Sequence, residues 1–190
     1  MKRYVNSSKD FESEAYLSSV VQSYGIELAI VAQRCAKPRS YGTLYWQFND
    51  AWPAISWAAI DYHGRWKALQ YTAKKIYANL AVFITSDFQV IALNDYLDPM
   101  NVNVKIHILS MDGESMFERE ESFSMEADGR KEVMKLDSSI WKGKEKSSFV
   151  YCEISTENGI KSTHTKFFNY IKDLELPKAT VSIKINSDTN

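Results

Sequence analysis

At 190 residues, with 45% apolar residues and a formal net charge of −1, the chain is long enough for one hydrophobic core or two small ones and is not disordered. The balance of 23 basic against 24 acidic residues excludes the net basic surface that a nucleic acid or an anionic membrane requires. The two cysteines, Cys35 and Cys152, predict no disulfide framework, and no stretch has the roughly 18 apolar residues of a membrane span.

The N-terminal region predicts one long helix over residues 11 to about 36. Asp10 is the expected N-cap, and Pro38 is expected to stop the helix. A break at Gly25, which would divide the helix into two halves, is the alternative. The apolar residues that recur at helical spacing are Leu17, Val20, Val21, Tyr24, Leu28 and Val31.

The elements that follow have the order of an α/β unit. Residues 43 to 48 form an aromatic and β-branched run that predicts a buried strand, and residues 49 to 53 leave it as a loop. Residues 67 to 80 predict a second helix, because their apolar positions share one stripe. The order of helix, buried strand, long loop and helix is typical of a parallel sheet.

After about residue 81 the pattern changes from helical to alternating. Residues 102 to 108 and 150 to 154 alternate apolar with polar side chains, as half-buried strands do. These strands and the turns between them predict a sandwich of short antiparallel strands. The turn dipeptides of this region are Asp112-Gly113, Asp128-Gly129 and Asn158-Gly159.

We therefore expect a first domain at residues 1–80 and a sandwich at residues 81–174. Residues 175–190 predict a linker and the first strand of a further domain, because Val181, Ile183 and Ile185 alternate with polar residues. The charge-dense run from residue 114 to 146 is expected to form solvated strand faces and loops rather than a binding patch.

The chemistry of the chain is concentrated in residues 41 to 71, which hold all but one of its five tryptophans. Asn49, Asp50 and Asp61 lie among these aromatic residues. Aromatic faces beside a few amide and carboxylate groups form the kind of surface that binds a small polar ligand, so a carbohydrate site is expected here. The tryptophans of this run are Trp46, Trp52, Trp57 and Trp66.

Three motifs follow one another in this run. They are Leu44-Tyr45-Trp46-Gln47-Phe48-Asn49-Asp50-Ala51-Trp52-Pro53, Ser56-Trp57, and Asp61-Tyr62-His63-Gly64-Arg65-Trp66-Lys67. Together they resemble the β-mannosidases of glycoside hydrolase family 2. The resemblance implies that the first motif is the last strand of a (β/α)8 barrel with its following loop, and that the third leads into the last barrel helix. The implied fold class is α/β plus all-β: the last strand and helices of a (β/α)8 barrel, followed by an Ig-like antiparallel β-sandwich.

The resemblance also implies a function, that of the C-terminal portion of a retaining exo-β-mannosidase. Such an enzyme uses two glutamates about 5 to 5.5 Å apart as acid/base and nucleophile. Both lie on earlier barrel strands in the family, so we expect no catalytic residue in this chain and no activity without the rest of the barrel. The expected substrate is a β-mannoside oligosaccharide or a glycoprotein glycan, with no cofactor and no metal. An extracytoplasmic or lysosomal location would fit the family.

The expected substrate-binding residues are Trp46, Asn49, Asp50, Trp52 and Trp57. Each has an alternative role, because Trp46 could fill the barrel core, the two polar residues could close a turn, and the other tryptophans could pack under the loop. Asp61 is expected to organise the loop or cap the helix, and Cys152 to be a small core residue.

Two other functions stay open at this point. One is a different family 2 exo-glycosidase, such as an exo-β-glucosaminidase, which shares part of the first motif. The other is a non-catalytic Ig-like module that binds carbohydrate or protein. A carbohydrate-binding module would need an aromatic platform within residues 81 to 172, where Trp141 is the sole tryptophan.

Overall fold

A computed structural model describes residues 2–178, 180 and 182. Two helices come first in the chain, and seven strands follow them in the described part. The predicted strand at Val181, Ile183 and Ile185 lies outside the described residues. The elements are α1 (Phe11–Arg34), α2 (Ala68–Ile76), β1 (Leu80–Ile84), β2 (Gln89–Asn94), β3 (Met100–Ser110), β4 (Ser115–Met125), β5 (Arg130–Lys135), β6 (Ser148–Ser155) and β7 (Lys161–Phe167).

Helix α1 confirms the first prediction. The Asp10 side chain caps it by accepting a hydrogen bond from the Ser13 N–H at 2.8 Å. The helix runs unbroken through Gly25, so the alternative of two halves is wrong. Contrary to the expectation from composition, α1 is long and apolar enough, by length and composition alone, to cross a membrane. Core helices of globular proteins meet the same criterion, and α1 packs on α2 and on the sandwich.

The predicted buried strand at residues 43 to 48 is wrong. This stretch has no regular strand. The carbonyls of Gln47 and Phe48 accept single hydrogen bonds from Ala59 and Ile60, next to an isolated bridge between Asn49 and Ile60. Leu44, Trp46 and Phe48 are exposed. A strand forms only beside a neighbour that pairs with it, and the described residues contain no second strand of the expected parallel sheet.

The second helix is shorter than predicted, because α2 ends at Ile76 and Leu80 already begins β1. The residues that follow confirm the antiparallel sandwich. One sheet has the strand order β1-β2-β5 and the other β4-β3-β6-β7. Each predicted turn dipeptide lies between two consecutive strands. Cys152 is fully buried in the core between the sheets, as expected.

The three-stranded sheet is buried on both faces. Leu80, Val82 and Ile84 of β1 point into the sandwich core together with side chains of β2. The alternate residues Ala81 and Phe83 point the other way, toward the helices. The cluster on that second face consists of Ile30, Val31, Cys35, Ile76, Ala81, Phe83, Ile91 and Leu93. The same sheet therefore packs into the sandwich core on one face and against the helical part on the other.

Removing a large side chain from the face of the three-stranded sheet that packs on the helices should destabilise the protein strongly. Phe83 is 2% exposed, so Phe83→Ala is expected to lower the free energy of unfolding by about 3–5 kcal/mol through lost burial and a residual cavity. Denaturant unfolding followed by circular dichroism measures the change. The control is Leu97→Ala at an exposed position, which should change the free energy by less than about 0.5 kcal/mol. Equal effects of the two variants would contradict the two-sided burial.

Candidate functional site

The site segment, residues 41–71, is organised by hydrogen bonds rather than by a core. Three short stretches lie side by side, because the Ala59 N–H donates to the Gln47 carbonyl at 3.0 Å and the Lys67 N–H donates to the Ala59 carbonyl at 2.9 Å. The Asp50 N–H donates to the Ile60 carbonyl at 3.0 Å. Ala58 and Ala59 are fully buried at the centre, where small side chains allow the backbones to approach.

Asp50 joins the beginning, the middle and the end of this loop system. Its buried carboxylate accepts a hydrogen bond from Lys67 Nζ at 2.8 Å and another from the Ser56 hydroxyl. The Ser56 oxygen in turn accepts the Ala58 N–H at 3.0 Å. The hydrogen bonds from Lys67 and Ser56 lower the pKa of the Asp50 carboxyl below its ordinary value of 3.8.

Lys67 is the functional partner that the sequence prediction missed. It was noted only as the last residue of the third motif, yet its ammonium group is largely buried beside Asp50. A lysine that packs at the start of a helix with little exposure requires a carboxylate partner. Asp61 is the nearer acid upstream of Lys67, and no feature of the sequence selects Asp50 over it, so the pairing emerges only from the structure.

Asp61 organises the turn before α2, as expected. Its Oδ1 atom accepts the N–H groups of His63 and Arg65, each at 2.9 Å, and its Oδ2 atom accepts from Arg65 Nε at 2.6 Å. Gly64 supplies the positive φ of 80° that this turn requires. Burial alone would raise the pKa of the Asp61 carboxyl, but the hydrogen bonds from Arg65 and His63 lower it.

The predicted tryptophans of the site are exposed, at 73% for Trp46, 70% for Trp52 and 60% for Trp57. All three lie on the site segment, but none of the described aromatic pairs joins two of these rings. Trp66 packs edge-on against Tyr71 with ring centres 5.1 Å apart, which suits a structural role.

Asn49 is exposed next to the buried Asp50. Its side-chain amide donates to the Asp50 carbonyl at 3.3 Å, and its own carbonyl accepts from Gln47 Nε2 at 3.1 Å. The Trp57 carbonyl accepts from Gln22 Nε2, which ties the loop to α1. The polar anchors of the site are therefore held in place, while the aromatic faces are open.

A cavity of about 670 Å³ lies elsewhere in the described part. It is bounded by α1 and β7, with Glu27, His164 and Lys166 in its lining, and none of the predicted site residues borders it. Within the described residues there is also no group of three His, Cys, Asp or Glu side chains that could hold a metal. The predicted tryptophans Trp46, Trp52 and Trp57 therefore lie on an open surface rather than in this cavity.

Comparisons with known proteins agree with the motifs. Residues 86–173 match the family model described as "Mannosidase Ig/CBM-like domain". The β-mannosidase A of Aspergillus clavatus is 37% identical over 83 residues, which is 41% of this chain and 9% of that protein. A Caenorhabditis elegans protein named probable β-mannosidase is 27% identical over 177 residues, or 84% of this chain and 20% of that protein.

Two solved structures share the fold. The β-D-mannosidase of Dictyoglomus thermophilum superposes with a TM-score of 0.80 at 24% identity, over 93% of this chain and 22% of that chain. An exo-chitosanase of Amycolatopsis orientalis superposes with a TM-score of 0.74 at 14% identity, over 87% of this chain and 20% of that chain. The resemblance to β-mannosidases is thereby confirmed, for a chain that spans a fifth or less of the length of these curated relatives.

The Asp50 network should respond to acid. Because the folded-state pKa of Asp50 lies below its ordinary value of 3.8, the carboxylate contributes stability above that pH and loses it as the pH falls through the folded-state pKa. The difference in free energy of unfolding between the wild type and Asp50→Asn should therefore shrink as the pH is lowered from about 6 to about 2.

Denaturant titrations at a series of pH values measure this difference, and a difference that stays constant would contradict the network. Asp112→Asn is the matched control, because it makes the same charge change on an exposed turn. It should leave the near-ultraviolet circular dichroism of the tryptophans unchanged, whereas Asp50→Asn should alter it.

Proposed function

We propose that this chain, with its mannosidase-type sandwich and the fold of a β-mannosidase, is the C-terminal portion of a retaining exo-β-mannosidase that hydrolyses terminal β-mannosyl residues. The observation that carries the proposal is the open aromatic surface of the site segment on a hydrogen-bonded support. In this proposal residues 1–80 are the end of a catalytic barrel, residues 81–174 the Ig-like sandwich, and residues 175–190 the entry to a further domain.

The pattern of exposure in the site segment supports a barrel origin. Leu44, Trp46 and Phe48 are exposed, whereas the intervening Tyr45 packs against the helical cluster. Alternate residues of a barrel strand point to the interior and to the surrounding helices. In this proposal the exposed side chains of Leu44, Trp46 and Phe48 face the interior of the complete barrel. Apolar surface of this extent indicates an interface or a ligand site.

The site residues divide by role in this proposal. The rings of Trp46, Trp52 and Trp57 form the apolar walls of the sugar subsite. The exposed Asn49 contributes hydrogen bonds to substrate hydroxyls or to a catalytic carboxylate. Asp50 contributes by holding Asn49 and the loop in position, because its carboxylate already accepts from Lys67 and from Ser56.

The chemical step belongs to the parent enzyme. A retaining hydrolase needs one carboxyl group to protonate the leaving oxygen and a second to attack the sugar carbon. The carboxylates of the site segment, Asp50 and Asp61, are both engaged by cationic side chains within their own loops. The proposal therefore assigns both catalytic glutamates to the preceding barrel strands, with a β-mannoside oligosaccharide or glycoprotein glycan as substrate.

The alternative of an exo-β-glucosaminidase is also supported, because the chain shares its fold with the exo-chitosanase. The carbohydrate-binding module has less support. Trp141 is only 4% exposed and stacks on Phe168 with ring centres 4.3 Å apart, so it belongs to the core of the sandwich rather than to a platform.

Activity of the complete reading frame tests the proposal. A protein expressed with its upstream residues should hydrolyse an aryl β-mannoside faster than an aryl β-glucosaminide, and the 190-residue chain should hydrolyse neither. Turnover by the isolated chain would show that the catalytic groups lie within it. A preference for the glucosaminide would establish the alternative enzyme.

A matched pair of substitutions tests the subsite. In the complete protein, Trp46→Phe is expected to lower kcat/KM for the β-mannoside by about tenfold or more, equivalent to about 1.4 kcal/mol, because the smaller ring loses contact with the sugar. Trp66→Phe makes the same change at a ring that packs on Tyr71 and should leave kcat/KM unchanged. Equal losses would argue against a subsite at Trp46.

A further inference from the structure

Arg34, at the end of α1, is the point where the two helices and the sandwich meet. Its side chain is 9% exposed. One guanidinium nitrogen donates to the Ile76 carbonyl, and the other donates to the Ala78 carbonyl at 2.9 Å and to Asp95 Oδ2 at 2.7 Å. The guanidinium carbon lies 5.3 Å from the centre of the Phe83 ring. One side chain thus binds the end of α2 and the turn after β2.

The two carbonyl groups that Arg34 binds flank Tyr77, and Tyr77 holds the start of the site segment. The Tyr77 hydroxyl forms a hydrogen bond of 2.7 Å with the Thr43 hydroxyl. The Tyr77 ring centre lies 6.4 Å from that of Tyr45, the residue before Trp46. A continuous series of contacts therefore leads from the sandwich through Arg34 and Tyr77 to the segment that carries the tryptophans.

We propose that Arg34 is a positioning residue that holds the site segment in place from outside it, using the sandwich as its anchor. The description of that segment as a sugar site rests on the proposed function, but the mechanical role does not. The planar guanidinium has enough donors to bind two carbonyls and a carboxylate at once, and a lysine ammonium lacks this geometry. Without these donors the carbonyl groups at the end of α2 lose their partners.

The neighbouring Lys37 supplies a contrast. Its ammonium group pairs with Asp95 at 2.6 Å and also with Asp128, so it links the helical part to the same turn of the sandwich. It has no hydrogen bond to residues 76–78 among the described contacts. Lys37 therefore shares the anchor of Arg34 but not its connection to Tyr77.

Amide hydrogen exchange of the 190-residue chain, resolved by NMR, tests the proposal. In Arg34→Lys, the amides of Asp50, Ala59 and Ile60 should exchange at least about tenfold faster, while the amides of β3 and β6 change by less than about twofold. In Lys37→Ala, whose ammonium group lies near Tyr41 at the start of the site segment but not near these three amides, the amides of Asp50, Ala59 and Ile60 should keep their wild-type rates. The three chosen amides form hydrogen bonds that close the loop system, so they report its opening.

A second variant keeps the test decisive if Arg34→Lys folds poorly. Tyr77→Phe removes the hydroxyl bond to Thr43 at an accessible position and should accelerate the same three amides without affecting β3 and β6. Uniform acceleration across the sandwich, unchanged site-segment rates in both variants, or an equal effect of Lys37→Ala would overturn the proposal. These exchange rates do not depend on catalysis, so absence of β-mannosidase activity in the complete protein would overturn only the proposed function.

Discussion

Burial of the three-stranded sheet on both faces is the constraint on which the rest of the structure depends. One face completes the core of the sandwich, and the other, with Phe83 and Leu93, receives the apolar sides of α1 and α2. The nine residues of α2 are too few to be stable alone, and the sheet provides apolar support for both helices. The ends of the site segment are fixed because the helices that flank it are fixed.

The site segment itself is ordered in a different way. Its large apolar side chains are exposed, and its shape comes from charged contacts, namely the largely buried pair of Asp50 with Lys67 and the pair of Asp61 with the exposed Arg65. Hydrogen bonds of this kind set a geometry without requiring a core. The aromatic faces are consequently left free, which is what a ligand site or an interface with further barrel strands needs.

The sequence predictions succeeded where the structure depends on interactions between near neighbours in the chain, and failed where it depends on distant partners. Helix α1 depends on its cap and on the spacing of apolar residues, and the turns of the sandwich depend on Gly dipeptides, which are all local features. Strands β1 and β2 were not predicted individually, because a strand buried on both faces lacks the alternation that reveals β3 and β6. The strand predicted at residues 43–48 is not formed, because the described chain has no regular strand beside it and offers it only single hydrogen bonds such as that from the Ala59 N–H to the Gln47 carbonyl.

The sequence by itself therefore determined the capped helix, the sandwich with its turns, and the motifs of residues 41–71 that resemble β-mannosidases. Only the tertiary structure decided that Asp50 holds Lys67, that Trp141 belongs to the core, and that Arg34 joins both helices to Asp95. The physical reason is distance along the chain. Periodicity and turn chemistry act between near neighbours, whereas these contacts join residues that are well separated in sequence and that meet only in the folded chain.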